Sequence, residues 1–304
     1  MNPQFGRGLA YVLGCVLLWG VQFPVAKSAL ASIDFLQMNS IRYGLGTLLL
    51  LAVLAWREGA GAIDFRGRFG QVAAFGFLGM GVSPMLLFYG LSLSLPEHTA
   101  VVVSLQPSMT ALADWWLHGR RPANFTLAAV AVAFSGVLLV VTRGELSVIA
   151  GGHELLGDLF VVLSAICWVA YTMSAETLRG WPALQFTVLS LISGTVGAFA
   201  VTAVALAAGW IAPASMHTLA GIGWHLAYLA LGGVVLGMLF WTAGNQRIGA
   251  LNSMLLLNMV PIVTFGVRYA LGARFSAAEL TGAALVIGAL AANNVYLRRK
   301  MRPA

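Results

Sequence analysis

Four side chains set deep in long apolar segments carry most of the recognition chemistry in this chain: Trp19 with Gln22, and Trp168 with Tyr171. Each pair is spaced i, i+3, so both members share one face of a helix. An indole or a phenol offers a flat apolar face with a polar edge, and an amide offers both a donor and an acceptor. That set suits binding by stacking and hydrogen bonding, with no bond made or broken. Further uncharged polar groups lie in later apolar segments: His98, Ser104, Gln106, Asn245, Asn252 and Asn258. Polar side chains in lipid are costly and mark pathways, although isolated ones also serve as helix-to-helix glue. His98 is placed near the outer end of its segment, where solvation is the alternative.

Catalytic arrangements are missing from the sequence. There is no H-E-x-x-H and no P-loop, and His98, His118, His153, His217 and His225 are scattered. No catalytic residue, metal or cofactor is expected. Cys15 and Cys167 both fall inside apolar runs and are read as reduced, buried packing residues. Arg42 is read as a structural cation that snorkels or donates to backbone carbonyls. Asp114 and Glu176 lie near cytoplasmic ends, within reach of water. The first apolar segment has no acidic residue, which argues against a small-cation extruder and leaves proton coupling without an obvious carrier.

The elements that position these groups follow from composition. The 304 residues are 60% hydrophobic and 9% charged, with mean hydropathy +0.87; a soluble domain carries about 25% charged residues. Lipid is therefore the solvent for most of the chain. Runs of about 20 apolar residues mark ten spanning helices, near 8–30, 35–55, 71–92, 97–117, 124–142, 156–178, 184–207, 220–242, 250–271 and 277–297. The first is longer than a signal-peptide core and has an internal twin, so Ala29-Leu30-Ala31 is not read as a cleavage site. The net charge of +7 sits in short loops and at the C-terminus (Arg298, Arg299, Lys300, Arg302). No contiguous basic face points to nucleic acid.

The chain repeats itself. Gly8 stands eleven residues before Trp19, and Gly157 eleven before Trp168, 149 positions later. Leu36-Gln37 returns as Leu184-Gln185, and Pro107 as Pro261; His98 and Asn252 each precede the matched proline by nine residues. The expected division is 1–149 and 150–304, five spans each. With the N-terminus in the cytoplasm, twelve of the 17 Lys and Arg residues fall on the inner side; Lys27, Arg42, Arg143, Arg268 and Arg274 do not. Both termini are then cytoplasmic, and five spans per half makes the second half an inverted repeat of the first. Trp56, Trp115, Trp116, Trp181, Trp210 and Trp224 sit at expected interfaces, where aromatic belts form. Trp19 and Trp168 do not.

Pro24, Pro84, Pro107 and Pro261 each remove an intrahelical hydrogen bond, and Gly79, Gly81, Gly232, Gly233 and Gly237 thin the middles of spans 3 and 8. Most are read as tolerated kinks. The twinned Pro107 and Pro261 are read as gating hinges.

Leu18-Trp19-Gly20 with Phe23 and Lys27, Arg42 before an apolar run, Gln106-Pro107 and the Gly-Arg-Arg-Pro turn at 119–122 resemble the drug/metabolite transporter superfamily, specifically its paired EamA-type domain. Trp168 and Pro261 continue the pattern in the second half, which departs from it where Arg42 aligns near Ser190 and Lys27 near Glu176. Nearest within it are bacterial amino-acid exporters, including the aromatic type. The resemblance implies an all-α integral membrane protein of the bacterial cytoplasmic membrane, exporting small metabolites by alternating access through a central cavity. Trp19, Gln22, Gln106, Trp168, Tyr171, Asn258 and His98 would line it. A zwitterionic or amphipathic substrate fits the low charge and the aromatic groups, with the bilayer as the other partner and a monomer as a sufficient unit. The alternatives are a nucleotide-sugar or other metabolite exchanger of the same superfamily, which needs basic residues such as Arg42 and Arg268, and a membrane enzyme or scaffold.

Overall fold

A computed structural model describes residues 3–145, 153–174 and 181–300, all helix and connection, with no strand among them. The order is α1 (Pro3–Leu30), α2 (Phe35–Glu58), α3 (Phe69–Leu93), α4 in two pieces (Pro96–Val103 and Gln106–His118) and α5 (Asn124–Thr142). Then come α6 (His153–Ser174), α7 (Ala183–Ala207), α8 (Gly223–Ile248), α9 in two pieces (Ala250–Leu257 and Val260–Ala270) and α10 (Ala277–Lys300). Glu176, Arg179, Arg302 and residues 146–152 of the join between halves lie outside the described residues.

Among the described residues, nine helices are long and apolar enough to cross a bilayer. The segment expected as a continuous span at 97–117 is the exception, because α4 breaks at Ser104-Leu105. Its pieces together still reach roughly 30 Å at 1.5 Å per residue. Local signals set the ends. Asp34 accepts a hydrogen bond from Leu36 N at the start of α2, Gly119 closes α4 with φ 70°, and Ser276 and Glu279 form a reciprocal capping box on α10.

The two halves repeat each other's irregularities. Pro107 and Pro261 each stand just inside the second piece of a broken helix, where they remove the donor that would reach the carbonyl four residues back. The turns before them match bond for bond: Ser104 N to Ala100 O and Leu105 N to Val102 O in α4, Asn258 N to Met254 O and Met259 N to Leu256 O in α9. Two wide π turns match as well, Phe77–Val82 in α3 and Leu229–Leu236 in α8. Gly79, Gly81, Gly232 and Gly233 fall within them, and Gly237 stands next after the second. In α3 the wide turn ends just before Pro84, which removes one further hydrogen bond to the preceding turn.

Contacts between halves are exchanged in the same way. Gly90 of α3 packs on Gly157 of α6, where a Cβ on either would stand 2.5–2.6 Å from the other's carbonyl oxygen; the repeat-equivalent Gly244 packs on α1 at Gly8 and Val12. Thr47 and Thr195, equivalent positions of α2 and α7, hydrogen-bond to each other at 2.7 Å. A pseudo-two-fold axis therefore passes between them. Equivalent glutamines do equivalent work: Gln37 binds Ala212 O and Ala214 N in the α7–α8 connection, and Gln185 binds Ala62 O and Asp64 O in the α2–α3 connection.

Candidate functional site

Trp19 and Gln22 meet the wide turn of α8. The Trp19 indole Nε1 donates to Gly233 O at 3.0 Å, and its ring lies 6.1 Å from that of Trp241. Gln22 Oε1 lies 2.9 Å from where a Cβ on Gly233 would stand, and Gly237 has no room for a side chain beside the indole. The glycines admit both side chains against the backbone, and the π turn supplies a carbonyl for the indole.

The second half builds the same contact with different groups. Tyr171, equivalent to Gln22, packs on Gly79, equivalent to Gly233, in the wide turn of α3. Its ring stacks on Phe186 (5.5 Å, 9°) and lies 5.5 Å from Trp168. Tyr171 is buried among apolar neighbours, whereas Trp168 is half-buried, as is Trp19. Trp19 belongs to the apolar cluster of α1 and Phe88; Trp168 and Tyr171 belong to a second cluster with Tyr43 and Leu50. Gln22 and Tyr171 thus take equivalent places against matched wide turns, whereas the Trp19 hydrogen bond to its turn has no counterpart at Trp168, and the two pairs belong to different clusters.

Gln106 and Asn258 lie at the breaks of α4 and α9. Gln106 begins the second piece of α4 and is half-buried; Asn258 occupies the break itself, buried, with no partner for Nδ2. Pro107 and Pro261 flank them, as described above.

His98 differs from its solvated reading. It is 0% exposed, with Nδ1 3.1 Å from Asp158 Oδ2. Asp158 also takes a short hydrogen bond from Ser94 Oγ. Lys27 Nζ donates to the carbonyls of Leu91, Ser92 and Ser94 at 2.7–2.9 Å, tying the end of α1 to that of α3. Arg268 Nε binds the buried Glu97 carboxylate at 3.0 Å, joining α9 to α4, and Arg143 reaches Glu154 and Glu279. One end of the bundle is thereby held by three charged groupings: Lys27, Ser94, Asp158 and His98; Arg268 with Glu97; and Arg143 with Glu154 and Glu279.

Two stretches of the chain, 6–142 and 155–295, each match the model of the EamA-like transporter family. The chain belongs to that family. It is 28% identical to the uncharacterized transporter YrdR of Bacillus subtilis (strain 168), over 98% of this chain and 94% of the relative. It is equally 28% identical to the uncharacterized transporter YyaM of the same organism, over 93% and 92%. Protein LicB of Haemophilus influenzae matches at 28% over half of each chain. A solved protein crystal structure shares the fold with TM-score 0.67 at 19% identity, covering 98% of this chain and 99% of that one.

For this EamA-family chain, sequence patterning located the aromatic pairs and the two helix breaks but missed the charged end. Asp158, Glu97 and Glu154 sit at the starts of apolar runs, where a carboxylate reads as a hydrated cap. The signal that was available is asymmetry: Asp158 aligns with Leu9 and Ser94 with Ile248, so the equivalent positions at the other end are apolar. Arg268 aligns with Asp114, which pairs instead with its neighbours His118 and Arg120.

Proposed function

We propose that this multi-pass membrane transporter moves small zwitterionic metabolites, amino acids with apolar or aromatic side chains, outward across the bacterial cytoplasmic membrane. The halves 1–149 and 150–304 form an inverted repeat with both termini cytoplasmic, and they rock about the axis at Thr47 and Thr195. The observation that carries the reading is the matched wide turns of α3 and α8, each met from the other half, the α8 turn by Trp19 and Gln22 and the α3 turn by Tyr171. A substrate side chain stacks on Trp19 or Trp168 while Gln22, Gln106 and Asn258 meet its polar end. His98 acts with Asp158 at the outer end, where the charged set holds the outside closed. Pro107 and Pro261 are the hinges.

Basic groups suited to a nucleotide sugar are scarce, since Arg268 is engaged by Glu97. That favours the amino-acid reading over a nucleotide-sugar exchanger. Flux follows the substrate gradient, because α1 carries no carboxylate to exchange protons against substrate at mid-depth.

Counterflow in proteoliposomes with a panel of labelled amino acids, nucleotide sugars and organic cations tests the reading. Uptake confined to apolar and aromatic amino acids is the expected result, and counterflow of a nucleotide sugar alone would overturn it. Uphill uptake driven by an imposed pH difference, and lost in Asp158→Asn, would overturn the uncoupled mechanism and assign the proton to the outer network.

A further inference from the structure

Four buried polar atoms on one face of α2 have no partner. Asn39 is 0% exposed, and neither its Nδ2 nor its Oδ1 is hydrogen-bonded; Arg42, one turn later and 5% exposed, has no partner for Nε or Nη1. Among the described residues no carboxylate lies within ion-pair distance of Arg42. The guanidinium carbon instead lies 4.4 Å from the Phe88 ring centroid and 4.7 Å from that of Tyr43, whose hydroxyl is a hydrogen-bonding neighbour of the guanidinium but leaves Nε and Nη1 without a partner. Aromatic faces stabilise the flat face of a guanidinium but leave its in-plane N–H donors for an acceptor elsewhere. The carbonyl partners expected from the sequence are not found at Nε and Nη1. A desolvated cation beside an amide with both ends free is costly, and orphaned groups of this kind call for a missing partner.

The position is central. Phe88 belongs to the apolar cluster that packs Trp19, and Tyr43 to the one that packs Trp168 and Tyr171, so Arg42 sits at their seam. One turn further along α2, Gly46 takes Val234 of the α8 wide turn against its Cα (a Cβ would stand 2.6 Å away). That same turn carries Gly233, where Trp19 and Gln22 meet it.

We infer that Asn39 and Arg42 are the polar subsite for the substrate's zwitterionic head, Arg42 taking the carboxylate and Asn39 Oδ1 the ammonium, an assignment that rests on the amino-acid transport reading above. An oxyanion supplies the in-plane acceptor that the guanidinium lacks, in a charge-assisted pair. An ammonium supplies the donor that Oδ1 lacks, and Nδ2 is left to share the carboxylate. The aromatic side chain then extends toward Trp19 and Trp168.

Binding to the full-length protein in detergent, with phenylalanine, phenethylamine (no carboxylate) and 3-phenylpropionate (no ammonium) as probes, tests this. Wild type is expected to prefer phenylalanine over phenethylamine by about 10- to 150-fold, the range for a lost hydrogen bond to a charged group. Arg42→Gln erases that preference, Arg42→Lys keeps part of it, and Asn39→Ala weakens phenylalanine more than 3-phenylpropionate. Unchanged preference in folded Arg42→Gln overturns the subsite and leaves amino-acid transport standing. If instead wild type binds 3-phenylpropionate but not phenylalanine, and Arg42→Gln abolishes that binding, the anion site stands and the amino-acid reading fails. A second measurement needs no ligand. Arg42→Met removes a buried charge that has no carboxylate partner, so the empty protein is expected to melt higher while losing any stabilisation by phenylalanine. A lower melting temperature for Arg42→Met without ligand would mark Arg42 as structural and overturn the inference.

Discussion

The equivalent tryptophans carry different duties. Trp19 is pinned by its indole N–H to Gly233 O, whereas Trp168 touches Tyr171 and is half-buried. Trp19→Phe removes one interhelical hydrogen bond, of about 0.6–1 kcal/mol in a membrane bundle, so it should lower thermal stability more than it lowers affinity. Trp168→Ala should do the reverse. Losing a stack of about 0.5–1.5 kcal/mol weakens binding of an aromatic substrate about 2- to 13-fold and spares a small aliphatic one. Melting curves and binding of phenylalanine against alanine measure both effects, and equal losses for the two ligands would make Trp168 a packing residue. The positions of these residues were half legible in the chain. The repeat spacing points to Trp19, Trp168, Gln22 and Tyr171, because periodicity survives in sequence. It cannot say that Tyr171 would be sealed against Phe186, or that His98 and Asp158, sixty residues apart, would meet. Nor does anything in the local sequence mark Asn39, whose significance lies wholly in what fails to surround it.

At the scale of elements, the broken helices are the most readable feature and the wide turns the least. Proline announces a break by its own chemistry, so the twinned Pro107 and Pro261 locate both kinks in advance. A π turn adds one residue to a helix without any dedicated residue type, and the glycines of α3 and α8 mark only where close approach is allowed. The same glycines explain why the halves interlock. At Gly90 and Gly157 an added methyl would meet backbone, which cannot swing aside as a side chain can. Gly157→Ala is therefore expected to cost about 1–3 kcal/mol, read as a lower melting temperature. The kinked prolines, if they act as the proposed hinges, are expected to respond in the opposite sense. Pro107→Ala or Pro261→Ala restores an amide donor and lets the helix run straight, so stability should rise while the turnover rate in counterflow falls. A variant with unchanged turnover would show that the kink only shapes the bundle and does not bend during transport.

For the whole molecule, the exchanged contacts fit ten antiparallel crossings, with the ends of α1, α3, α5 and α9 beside the starts of α4, α6 and α10. If that end is outside, a cysteine replacing Arg274 or Trp210 reacts with an impermeant reagent on intact cells, and one replacing Arg121 does not; the reverse pattern would invert the protein. The two ends are closed by different forces. At the charged end Arg268 holds Glu97 across the halves, whereas at the other end the equivalents of Asp158 and Ser94 are Leu9 and Ile248. Losing one partner of a fully buried pair costs about 3–5 kcal/mol, and the Arg268 side chain is 29% exposed, so solvent reduces this to about 1–2 kcal/mol. In the proposed alternating-access cycle both groups regain water when the charged end opens, so Glu97→Gln is expected to destabilise the closed state specifically. That shifts the opening equilibrium about 5- to 30-fold. Val101, on the same piece of α4 as Glu97 and 1% exposed, reports it. In protein lacking Cys15 and Cys167, a cysteine replacing Val101 is expected to react faster from outside by that factor in Glu97→Gln. Asp114→Asn, which alters only a local cluster at the inner end, should leave the rate unchanged. Equal rates in both variants would mean that the charged end braces the bundle in every state and gates nothing.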